Sequence, residues 1–308
     1  MTTRTGLERV GMRENGVNAS KTDPADKLHA YRALIKSRQT LLLLATGMAG
    51  YLSARPQSAS WTDVLSLSLS LFAAISGTTA LNMVLDCDID ARMERTAGRP
   101  IPAGVLSPTE ATLFGAALIS FGLATAFWAD VVFGAVFAAG VLFDLLVYTL
   151  WLKRRSPWSI VFGGIAGGMP ILAGRALGTG KVDGLGLLLA LSVLTWIPAH
   201  IMPLSMKYAD DYRRAGVPTW PTVHGFDSAR RFIAVANGLR IVALVWAGWL
   251  LRICPSSLAL LGLLGTVMLG LSIWSIGRPS SRLNDVLFKS ASLHMLGSMI
   301  LITLGALL

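Results

Sequence analysis

The chain has 308 residues, 53% of them hydrophobic and only 14% charged, with a formal net charge of +10. That composition excludes an ordinary soluble domain and points to an all-α polytopic membrane protein, since each span needs roughly 20 mainly apolar residues. The runs are continuously apolar rather than alternating, which excludes a β-barrel.

Residues 1–33 are polar, mixed in charge and contain Gly and Pro, so they read as a flexible cytoplasmic tail ahead of a membrane domain at 34–308. The tail has no apolar core of the signal-peptide kind. Nine spans are predicted, at 34–53, 61–85, 108–129, 131–150, 160–175, 185–206, 232–251, 258–276 and 286–307. With the N-terminus in the cytoplasm, 22 of the 27 Lys and Arg residues fall in the tail and the even-to-odd loops. The positive-inside bias then places those loops on the cytoplasmic face of a cell (inner, plasma) membrane. Contact with anionic lipid heads accounts for the net charge; no soluble basic domain is present to bind nucleic acid. Cys87 and Cys254 are predicted at opposite faces, which rules out a disulfide or a cysteine metal site.

The second span ends in Asn82-Met83-Val84-Leu85-Asp86-Cys87-Asp88-Ile89-Asp90, followed by Arg92, Arg95 and Arg99. Asn82, Asp86 and Asp90 are spaced i, i+4, i+8 and share one helix face. Carboxylates stacked this way repel one another on a bare helix, and a cation between them removes the repulsion. All the ligands are oxygens, which suits magnesium, and magnesium completes its shell with substrate phosphates. The plain alternative is a solvated helix end with Asp86 or Asp88 as a cap. Arg92, Arg95, Arg99 and Lys153 are candidate clamps for a diphosphate, Arg being suited to bidentate contact and Lys to a point charge. The alternative for each is topogenic charge beside lipid heads, and this is the reading for Arg154 and Arg155.

The fourth span carries Asp144, whose role stays open, and then Tyr148. Gly163, Gly164, Gly167 and Gly168 give small-x-x-x-small pairs for close helix packing. In the sixth span His200 is an intramembrane ionisable group, a default sign of a functional cavity; a histidine hydrogen-bonded between helices is its structural alternative. That span ends in Tyr208-Ala209-Asp210-Asp211-Tyr212-Arg213-Arg214, a second acidic cluster. RTAGRPIPAG (95–104) and RRAGVPTWPT (213–222) echo each other and suggest an internal repeat of about four helices. Structural pairing is expected for Asn237, Arg240 and His294.

At this point the residues resemble a family. Residues 82–102 are similar to the first signature of the UbiA superfamily of intramembrane prenyltransferases. Segments 34–54, 148–170 and 196–225 resemble its protoheme IX farnesyltransferase branch. The resemblance implies a nine-helix bundle around a central cavity and a magnesium-dependent transfer of farnesyl from farnesyl diphosphate to a vinyl group of heme b, giving heme O for heme A synthesis. It implies that Asn82, Asp86 and Asp90 hold magnesium and that Asp210 and Asp211 form the second acidic site. It also places Tyr148 and Lys153 toward the diphosphate. His200 is expected in the acceptor pocket, and heme A synthase is the expected partner. Two departures stand out. Tyr208 and Tyr212 occupy positions where many superfamily members carry aspartates, and Thr219-Trp220 replaces the usual Met-Leu of the following signature. Other acceptors (a quinone precursor, a phenol, a glycerol-phosphate lipid), a terpene cyclase and a secondary transporter are the competing functions. Acids gathered at a cytoplasmic rim among arginines favour diphosphate chemistry over a transporter site at mid-membrane.

Overall fold

The computed structural model describes residues 24–54 and 60–307, and these are helical throughout apart from their connections. In chain order the helices are α1 (Pro24–Ile35), α2 (Ser37–Ser53), α3 (Trp61–Leu85), α4 (Cys87–Arg92), α5 (Pro108–Ala129) and α6 (Val131–Leu142). A π-helical stretch, Phe143–Leu152, continues α6. There follow α7 (Ser159–Thr179), α8 (Gly184–Lys207), α9 (Ala209–Arg214), α10 (Trp220–His224), α11 (Phe226–Leu250), α12 (Pro255–Gly277) and α13 (Ser281–Leu307).

Among the described residues eight helices are long and apolar enough to cross a membrane. The remaining predicted span, 34–53, corresponds to α2, whose 17 residues put it at the short end of what spans a bilayer. The protein is an integral membrane protein. The predicted fifth span stops at Arg175, but α7 runs on to Thr179. Arg175 is accommodated because its Nη2 pairs with Asp183 at 2.7 Å and its Nη1 donates to Ser53 O at 3.1 Å. The segment read as a tail also gains structure at its end. Ala30 and Leu34 of α1 are buried against Ala80, Met83 and Leu106, and Lys27 pairs with Glu110 at 2.9 Å. Residues 1–23 lie outside the described residues.

The bundle has two groups of helices. α2, α3, α5, α6 and α7 form one, and α8, α11, α12 and α13 form the other, joined where α7 meets α8 and α2 meets α13. Lipid tails offer no hydrophobic drive for helix association, so backbones must come close enough to pack. A Cβ on Gly174 would collide with Gly47 O, and one on Gly50 with Ile171 O. The predicted glycine ridge behaves likewise: Gly164 and Gly168 face Leu194 and Ala190 of α8, while Gly163 makes room for the Tyr148 ring.

In the second group, Asn237 donates to Ser272 Oγ at 2.8 Å, and His294 Nδ1 lies 3.2 Å from Ser298 Oγ. Among the described residues the expected partner of Arg240 is not found: its guanidinium is buried with no hydrogen bond from any of its three nitrogens. Counting crossings, the ends of α3, α6 and α8 and the start of α2 lie at one end of the bundle. Cys254, at the start of α12, lies at the other, and both cysteines are free.

Candidate active site

The apolar run of α3 ends at Leu85, and the helix is interrupted at Asp86 (φ −96°, ψ 5°). Helical bonding still crosses the break, because Asp86 N–H donates to Asn82 O at 3.0 Å and Asp90 N–H to Asp86 O at 2.8 Å. Asn82, Asp86 and Asp90 therefore keep one face in common. Asp86 and Asp90 are each only 4% exposed. Asp90 accepts from Arg99 Nη1 at 2.5 Å, and Asp86 Oδ2 pairs with Lys153 Nζ. Asp86 Oδ1 is buried with no hydrogen-bond partner. Leaving such an acceptor unsatisfied costs about 1–3 kcal/mol, so this carboxylate is held ready for something else.

Lys153 arrives through the π-helical stretch. Its N–H bonds to Tyr148 O, five residues back, at 2.8 Å, and its ammonium sits 5.8 Å from the Tyr148 ring centroid. Burial opposes the Lys153 charge, but Tyr148 and the Asp86 carboxylate more than offset it and hold the pKa above that of an ordinary lysine. The apolar pattern gives no sign of this widened helix, which turns Asp144 and Lys153 toward α3 and sets the Tyr148 ring against Gly163 of α7.

Lys36 joins the same site, and nothing in the residue pattern separates it from topogenic charge. It caps α2 in the left-handed conformation (φ 47°, ψ 53°). A non-glycine residue held there carries strain of order 1–3 kcal/mol, which tends to mark function. Burial, then the charges of Arg99 and Lys153, push its pKa down to about 8. Lys36, Arg99 and Lys153 thus stand against Asp86 and Asp90.

The other predicted clamps go elsewhere. Asp88 lies two residues from Asp86 and so points away from it. Arg92, four residues further, follows Asp88 at 3.7 Å on the outer surface, where Arg154 also pairs with Asp88 at 2.6 Å. Arg95 crosses to the second cluster. Its N–H donates to Asp211 Oδ2 at 3.3 Å, and its guanidinium lies 5.3 Å from the Tyr208 ring centroid.

In the second cluster α8 is interrupted at Tyr208 as α3 is at Asp86, again with i→i+4 bonds retained across the break. Asp211 is buried and pairs with Arg214, whereas the Asp210 side chain is 82% exposed and pairs with Arg213 at 2.6 Å. Tyr212 packs with Ile89, Met93, Ala215 and Val217, which glues α9 to α4. A pocket of about 450 Å³ lies among Arg95, Tyr208, Asp210, Asp211 and Arg214. His200 is apart from both clusters. It stands roughly 15 Å along the helix from Asp210, stacked between Trp196 and Phe288, with Nδ1 3.3 Å from Ser292 Oγ.

Among the described residues no three His, Cys, Asp or Glu side chains converge as a ready metal site. A cation held by Asp86 and Asp90 therefore needs further oxygens, and phosphate supplies them in the way magnesium prefers. The buried, unpartnered Asp86 Oδ1 and the all-oxygen donor set fit that ion.

Residues 43–296 match the UbiA prenyltransferase family. The chain is 46% identical over 220 residues to the protoheme IX farnesyltransferase of Archaeoglobus fulgidus, covering 70% of this chain and 76% of that one. It is 35% identical over 271 residues to the enzyme of the same name from Pyrobaculum neutrophilum, covering 86% and 95%. Among solved structures, a digeranylgeranylglyceryl phosphate synthase superposes with a TM-score of 0.74 at 20% identity, covering 91% and 99%. A UbiA homologue from Archaeoglobus fulgidus bound to GPP and Mg2+ gives 0.66 at 15% identity, covering 89% and 99%. With its acidic helix ends, the cations paired to them and this kinship, the chain belongs to the UbiA prenyltransferase family and is a prenyltransferase.

Proposed function

We propose that the protein transfers a farnesyl group from farnesyl diphosphate to a vinyl group of heme b, giving heme O, with magnesium as the metal. The observation that carries the donor half is the buried Asp86 with its unpartnered Oδ1, set among Lys153, Arg99 and Lys36. The acceptor half rests on relatives named protoheme IX farnesyltransferase.

Asp86, Asp90 and the Asn82 amide would hold magnesium, which when bound neutralises charge growing on the leaving diphosphate. Lys153, Arg99 and Lys36 bind non-bridging oxygens and stabilise the same charge. On diphosphate binding, Arg99 and Lys153 exchange carboxylate partners for phosphate. The C1–O bond of the donor breaks, with its electron pair leaving on diphosphate. The vinyl π pair forms the new C–C bond to C1, and water adds to the resulting cation with loss of a proton, leaving a hydroxyethylfarnesyl group. Tyr148, set in the space left by Gly163, shields Lys153 and borders the donor.

Asp211 acts through Arg95 and Arg214, which shape the cytoplasmic mouth of the site, and Asp210 pairs with Arg213 at its rim. His200 belongs to the acceptor side, at the junction of α8 with α13. The site opens to the cytoplasmic face of the plasma membrane, where heme b arrives and heme O passes to a heme A synthase.

The test uses membranes containing the protein, magnesium, labelled farnesyl diphosphate and heme b, with Asp86→Ala as control. A product with the mass of heme b plus one farnesyl group and one hydroxyl, absent from the control, is expected. Release of diphosphate without prenylated heme would overturn the acceptor.

A further inference from the structure

Asp144 belongs to neither acidic motif, yet it is a carboxyl inside a membrane-spanning segment, where an ionisable side chain is costly and marks function by default. Its partner is an amide rather than a cation. Asp144 Oδ2 accepts from Asn82 Nδ2 at 2.6 Å. The other end of that amide is held as well, because Asn82 Oδ1 accepts from Thr149 Oγ1 at 2.8 Å. Asp144 and Thr149 are five residues apart in a helix bonded i→i+5, so one widened turn supplies both contacts. Asn82 in turn sits one helical step before Asp86, on the face that carries Asp86 and Asp90.

The chemistry of the three groups fixes the orientation of the amide. Asp144 Oδ2 accepts from the NH2 end of Asn82 while the Thr149 hydroxyl donates to its oxygen end, so the two contacts hold the amide one way round. A flipped amide would lose both contacts in the form the structure shows. The threonine hydroxyl can donate to the amide oxygen and uses one of its two lone pairs. One lone pair of Asn82 Oδ1 is left over.

We infer that Asp144 is a positioning residue for the metal–diphosphate site: with Thr149 it locks the Asn82 amide so that its oxygen, not its nitrogen, is the free ligand. This rests on the reading of Asn82, Asp86 and Asp90 as a cation site. Partners that orient a metal ligand typically govern its affinity by about 10–100-fold. The role also explains why a carboxylate stands where a neutral residue would be less costly in lipid: an asparagine there could present either end of its own amide and would tolerate both orientations of Asn82.

The experiment titrates purified full-length protein with Mn2+ in the presence of inorganic diphosphate, following free Mn2+ by electron paramagnetic resonance. Asp144→Asn should weaken Mn2+ binding about 10–100-fold, with metal-free thermal stability unchanged and kcat restored at saturating metal. Thr149→Val should weaken binding in the same direction by less, and Thr149→Ser should restore it. Wild-type Mn2+ affinity in Asp144→Asn, alongside weakened binding in Asn82→Ala, would overturn the inference and leave the metal site standing. Wild-type affinity in Asn82→Ala and Asp86→Ala as well would overturn the metal reading itself. If Asp144→Asn does not fold, Thr149→Val decides: weakened binding supports the lock and unchanged binding overturns it.

Discussion

The two acidic regions share a backbone and differ in what they hang on it. Each is an apolar helix interrupted at a single residue, Asp86 or Tyr208, with helical bonds running on into a six-residue helix, α4 or α9. At matched positions the first has Asp86 and Asp90 and the second has Tyr208 and Tyr212. The first buries its carboxylates among Lys153, Arg99 and Lys36. The second turns its rings to other work: Tyr208 lies under Arg95, and Tyr212 packs on Ile89 and Met93. On this comparison the first region carries the cation and anion chemistry proposed above, and the second serves as a clamp on the first loop.

If that division is right, the largest effect comes from the first region. Asp86→Asn should lower farnesyl transfer by about 10²–10³-fold, the scale for removing one preorganised charge-stabilising group, as measured with labelled donor in membranes. Equal losses in Asp86→Asn and Asp210→Asn would break the comparison. Next, Tyr212→Asp restores the motif aspartate but puts a carboxylate among Ile89, Met93 and Val217. It should destabilise the protein by about 1–3 kcal/mol, read from thermal unfolding in detergent. A stable variant with tighter metal binding would show that the second region is still a metal site.

A third effect depends on pH and belongs to the first region alone. The Lys36 pKa of about 8 lies below the ordinary 10.5. Above pH 8 the free protein therefore sheds a proton that a bound diphosphate needs. Inorganic diphosphate affinity should fall about tenfold per pH unit from there, and Lys36→Arg, which stays charged, should flatten the slope. Smallest of all, Asp210→Asn removes an exposed pair with Arg213 and should change stability by less than about 1 kcal/mol, with turnover within about twofold. Thermal unfolding and the same transfer assay check it.

Much of this was readable in the residues, for reasons of period and spacing. The apolar runs located the long helices, and the i, i+4, i+8 spacing of Asn82, Asp86 and Asp90 survived a break in their helix because the hydrogen bonds did. The four glycines after Trp158 predicted close packing, though not that Gly163 would face Tyr148. The arginines were less legible. Arg92, Arg95 and Arg99 are equal as letters, and only the fold of the loop sends one outward with Asp88, one to Asp211 and one to Asp90. Lys36 was hidden because a lysine before an apolar run is ordinary topogenic charge, and its left-handed backbone is a property of three dimensions. Arg175 seemed to end a helix because its partner, Asp183, lies beyond the turn.

The π-helical stretch Phe143–Leu152 has a consequence for how this sequence tolerates insertions and deletions. Relaxation of the segment to an ordinary α-helix at constant length would wind it more tightly. Everything after it would then rotate relative to α3, carrying Lys153 off the face that meets Asp86. A one-residue deletion accompanying the relaxation would offset much of that rotation, so the length of this stretch and its widened turns are tied to each other.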